Sequence, residues 1–90
     1  MDETDDSWTP AAEDAATESA VLQRVLDLHP VLVTGPELVR EIGGEFADFA
    51  KRDAVERAVR DLIGAGLLHR HDALVIPTRA ALRFEELLDH

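Results

Sequence analysis

Ninety residues with 46% apolar side chains, no cysteine and a formal charge of -10 leave room for one small domain. The missing cysteines exclude disulfides, thiolate metal sites and a cysteine nucleophile, and no apolar run approaches the roughly 18 residues of a membrane span. Met1 opens into Asp2, Glu3, Asp5 and Asp6, the reverse of a secretory signal, so no membrane association and a cytoplasmic location are expected.

Charge is unevenly placed. Residues 1–20 hold seven acids and no base, so the remaining 70 residues, with twelve acids and nine bases, carry only -3. Such a start favours an acidic, disordered tail over 1–16, followed by a folded domain over 17–90. The other reading is that the tail folds back on the basic part of the chain as an intramolecular phosphate mimic.

Val21, Leu22, Val25, Leu26 and Leu28 recur at helical spacing and stop at His29-Pro30, because proline disfavours the α conformation in the residue before it. Two starts are open for this first helix, Thr9-Pro10 and Thr17, with an ordered helix expected from about Thr17. Val31, Leu32 and Val33 form a brief β-prone run. Thr34-Gly35-Pro36-Glu37 then has the spacing of a capping box, with Val33 and Leu38 as its hydrophobic staple. Leu38, Val39 and Ile42 supply the buried stripe of the second helix, which Gly43-Gly44 ends.

Projection at about 100° per residue puts Phe46, Phe49 and Ala50 on one side and Val55, Val59, Leu62 and Ile63 roughly 150° away. A break near Lys51 to Asp53 reconciles the two, so the third helix is expected from Ala54 to about Ala65. Asp53 and Glu56 would cap its start and Gly66 would end it. Leu67–Arg70 and Leu74–Ile76, separated by His71-Asp72-Ala73, have the spacing of a tight hairpin. Thr78 caps a final helix whose Ala80, Ala81, Phe84, Leu87 and Leu88 share one face, with Leu82 opposite, as an incidental surface residue or a dimer contact.

Helix, short strand, helix, helix, β-hairpin, helix is the order of a winged helix-turn-helix, an α+β, mostly helical fold. The stretch from Asp53, DAVERAVRDLIGAGLLHR, resembles the recognition helix and first wing strand of small winged-helix transcriptional regulators. ALVIPTRAALRFEELL is similar to their second wing strand and closing helix. The resemblance spans about Val21 to Leu88. It implies that the third helix enters the major groove of double-stranded DNA and that the wing touches an adjacent groove or the backbone.

With Val55, Ala58, Val59 and Leu62 inward, Asp53, Arg57, Arg60 and Gly64 project outward. Arg57 and Arg60 would clamp or read the groove, while Lys51, Arg52, Arg70 and Arg79 would neutralise phosphates. The same arginines, beside Glu56 and Asp61, also suit an ordinary solvated helix face. His69 and His71 share a strand face near Asp72 but lack a third ligand, so no metal site is expected. No Gly-rich phosphate loop, nucleophile elbow or spaced acid pair occurs, and no enzyme activity or cofactor is expected. The rival reading is an acidic adaptor, a winged helix that binds proteins: net charge of -10 opposes long-range attraction to DNA and suits a basic protein partner. A homodimer is compatible with either.

Overall fold

The computed structural model describes residues 10–89. Their order is α1 (Pro10–Leu28), β1 (Val33–Thr34), α2 (Gly35–Gly43), α3 (Phe49–Gly64), β2 (Leu68–His71), β3 (Leu74–Pro77) and α4 (Arg79–Leu88). It is a small α+β arrangement, mostly helical, in which the three strands form one antiparallel sheet ordered β1-β3-β2. Among the described residues no helix is long and apolar enough to cross a membrane.

Short-range chemistry sets most boundaries. The Thr34 hydroxyl accepts the Glu37 N–H at 3.2 Å, and the Glu37 carboxylate accepts the Thr34 N–H at 2.8 Å, completing the expected box ahead of α2. Gly44, at φ +90, follows α2 as expected. At the end of α3, Leu67 N–H donates to Leu62 O and Gly66 N–H to Ile63 O, both at 3.0 Å, with Gly66 at φ +83. This is the paired closure that a left-handed residue permits after a helix. In the hairpin His71 faces Leu74, so Asp72-Ala73 alone makes the turn, Asp72 taking a φ of +56 that Asp tolerates better than most residues.

The core is aliphatic. Val21 and Val25 of α1, Val33 of β1, Leu38 and Val39 of α2, Val55, Ala58, Val59 and Leu62 of α3, Leu68 of β2 and Val75 of β3 form one buried cluster. It holds both members of the Val33–Leu38 staple. Thr78 locks the hairpin base to its flanking helices: its hydroxyl accepts the Ala81 N–H at 3.2 Å and donates to Gly66 O at 2.7 Å, while its N–H donates to Leu67 O. One residue thus caps α4 and ties it to the end of α3, which fixes the hairpin beside that helix.

Three expectations need correction. First, α1 starts at Pro10, not near Thr17, so residues 10–16 of the expected tail are helical; Thr9 and the rest of that tail lie outside the described residues. An alanine-rich stretch has high helix propensity, and Asp14 within it reaches Arg57 of α3. The Thr17 hydroxyl donates back to Glu13 O at 3.0 Å, an interior bond and not a cap.

Second, α3 starts at Phe49 with no break at Lys51 to Asp53. Its cap is Asp48, whose carboxylate accepts the Lys51 N–H at 2.9 Å. The two apolar faces coexist because one of them is not buried: Phe46 and Phe49 are 95% and 78% exposed. The connection from α2 to α3 therefore shrinks to residues 44–48, and Gly43 helps to make it tight, since a Cβ there would stand 3.0 Å from Ala47 Cβ.

Third, α4 turns only Ala81 fully inward, with Leu82 half-buried, whereas Ala80, Phe84, Leu87 and Leu88 of the expected inward face are exposed. The helix does have an apolar side, but none of the described residues covers it.

Candidate nucleic-acid interface

The outward side of α3 and the adjoining hairpin strand β2 form the surface that carries most of the expected site. Burial of Val55, Ala58, Val59 and Leu62 leaves Arg57 and Arg60 on the side away from the core, one turn apart. Leu68 anchors β2 inward, and Arg70, two residues on, is exposed. Helix and strand together bring Arg57, Arg60 and Arg70 around one open depression of about 340 Å³, floored in part by Ile63. Asp53 and Glu56 line the same depression.

The three arginines differ in availability. Arg57 is doubly held, with Nη1 2.7 Å from an Asp53 oxygen and Nη2 3.2 Å from an oxygen of Asp14 on α1. Its guanidinium is pushed above its ordinary pKa, first by the hydrogen bond and charge of Asp14 and then by the charges of Asp53 and Asp61, with partial desolvation opposing them. Among the described residues Arg60, 73% exposed, has only a loose approach of 3.9 Å to Asp61. Among the described residues Arg70 is in no ion pair, nor are Lys51, Arg52 and Arg79.

The other expected contacts lie elsewhere. Lys51 lines a separate cleft of about 450 Å³ between α1, the end of α2 and the start of α3, among Glu13, Asp14, Asp48 and Asp53. Arg52 is exposed on the opening turns of α3, and Arg79 opens α4; neither lines the arginine depression. Of the six expected phosphate or base contacts, the fold therefore gathers three.

The acids in this surface also change role. Asp53 and Glu56 do not cap α3, because Asp48 does, so their carboxylates are not directed at the helix N-terminus; Asp53 is held by Arg57 and Glu56 is exposed. The two hairpin histidines are exposed, and among the described residues no three His, Asp or Glu side chains converge as metal ligands. The charge on α3 is thus mixed, with Asp53 and Glu56 beside Arg57 and Arg60 in the depression that Arg70 of the hairpin also lines.

Two residues that shape this region, Asp14 as the partner of Arg57 and Asp48 as the cap of α3, could not be placed from local pattern. Asp48 precedes Lys51 at capping distance, but the later Asp53–Glu56 pair offered a competing start. Asp14 is 43 positions from Arg57, and only the expectation that the acidic segment folds back on the basic one pointed toward it. Comparison of the chain with protein-family models, curated proteins and solved structures finds no match.

Proposed function

We propose that the chain is a winged-helix protein that binds duplex DNA through α3 and its hairpin and thereby regulates transcription. The element order and the antiparallel β1-β3-β2 sheet beside α3 are consistent with that fold. The observation that carries the reading is the position of Arg60 and Arg70, from helix and wing, on one open depression, with no close carboxylate partner for either among the described residues. A helix seated in the major groove would put Arg60 at a base edge or phosphate, and the adjacent strand would put Arg70 on the backbone.

Anisotropy of labelled duplex at low salt tests this. Arg60→Ala with Arg70→Ala should weaken binding at least tenfold and reduce the salt slope by about 2, one unit for each phosphate no longer neutralised. Unchanged affinity would remove the assignment.

The acidic segment enters the same reading. Asp14 occupies the guanidinium of Arg57 as a phosphate oxygen would, so Asp14→Asn should tighten duplex binding by several-fold, with the gain abolished when Arg57 is also replaced. Equal affinity for Asp14→Asn and the parent would show that the Arg57 pair plays no part in binding.

A second reading, an acidic module that binds proteins, is favoured by one feature of the same face. Asp53 and Glu56 interleave with its arginines on a chain of charge -10. Absence of duplex binding at low salt, for parent and Asp14→Asn alike, would select it.

A further inference from the structure

The exposed side of α4 does not face open solvent alone. It runs beside the C-terminal half of α1, and the two helices enclose a groove of about 320 Å³ whose walls are Leu22 and Leu26 on one side and Phe84 and Leu88 on the other. Each pair is spaced by four, so each wall is one helical turn of apolar surface. Phe84 is 55% and Leu88 68% exposed, and Leu87 continues the patch. Contiguous large apolar side chains on a small protein mark a place where something docks.

The rim indicates what that is. Asp27 of α1 and Glu85 and Asp89 of α4 border the groove with Ser19 and Gln23, and no Lys or Arg lines it. The nearby Arg83 is engaged by Glu86 at 3.1 Å. Three carboxylates around an apolar trough favour a cationic visitor with an apolar stripe.

A second copy of the chain would set the same carboxylates against their own counterparts, on molecules that each carry -10. The chain's own opening segment, with Asp2, Glu3, Asp5 and Asp6, is disfavoured for the same reason. A trough between two helices accepts a third helix through side chains at i, i+3 or i+4, and i+7.

We infer that the α1–α4 groove is a docking site for a basic amphipathic helix of another protein, with Leu or Phe anchors between Phe84, Leu88, Leu22 and Leu26 and Lys or Arg against Asp27, Glu85 and Asp89. The site shares no residue with the arginine depression, so it does not depend on DNA binding. A protein using both would hold a basic partner on one face and its other ligand on another.

The test uses the full chain and two synthetic helical peptides of one length and one leucine spacing, one with lysine and one with glutamate at the remaining positions. The lysine peptide should bind, with amide shifts concentrated on residues around the groove, and the glutamate peptide should not. Phe84→Ser with Leu88→Ser, which leaves the net charge unchanged, should weaken binding about tenfold or more. Glu85→Lys with Asp89→Lys should weaken the lysine peptide and admit the glutamate one, a reading that remains even if the serine variant folds poorly. Three results would overturn the inference: lysine-peptide binding that survives the serine variant, which is attraction to net charge alone; equal binding of both peptides, or of neither; or concentration-dependent self-association in sedimentation that the serine variant abolishes, which would make the occupant a second copy.

Discussion

Helices α2 and α4 make an instructive pair. They have nine and ten residues, each is capped by a threonine hydroxyl, and each segregates its apolar side chains to one side. Helix α2 lies against α1, β1 and α3 and buries Leu38 and Val39. Among the described elements helix α4 lies mainly against α1 and β3, buries Ala81 and leaves Phe84, Leu87 and Leu88 exposed. An apolar stripe states that a helix has a side to cover; it does not state whether the same chain covers it. Covered, the stripe is core. Uncovered, it is a surface with binding capacity.

Substitutions can sharpen this contrast. The largest effect is expected at Leu38, fully buried, where Leu38→Ala should lower unfolding free energy by about 3 kcal/mol in urea titration. Thr78→Ala removes both the α4 cap and the bond to Gly66 O, and should cost about 2 kcal/mol, against about 1 kcal/mol for Thr34→Ala, whose partners all lie in its own turn. Equal losses at the two threonines would mean that the tie between α4 and the end of α3 adds nothing. The smallest change is expected for Phe84→Ser with Leu88→Ser: within about 0.5 kcal/mol per site, because neither side chain is enclosed. A loss at these positions as large as that of Leu38→Ala would make α4 a second α2 and remove its uncovered face.

Legibility from sequence follows the same division. The box at Thr34 and Glu37, the closure at Gly66, the cap at Thr78 and the presence of a hairpin are readable from short-range pattern, although its strands run Leu68–His71 and Leu74–Pro77, against the expected Leu67–Arg70 and Leu74–Ile76. The start of α3 is not readable, because Asp48 and Asp53 both have capping chemistry, and the fold selects Asp48, so that the helix opens on the exposed Phe49. Of the site, the outward placement of Arg57 and Arg60 is legible from the buried aliphatic spacing. The capture of Arg57 by Asp14 is not, because it requires the start of α1 to lie beside α3.

Sequence alone determined the order of elements, most of their caps and the aliphatic side of each core helix, since these depend on hydrogen bonds and side-chain spacings within a few residues. Tertiary structure decided which arginine is held by α1, where α3 begins, and that the apolar side of α4 lies beside α1 as an open groove. Those outcomes depend on which distant surfaces meet, and that is set by the packing of the whole core, not by any one segment.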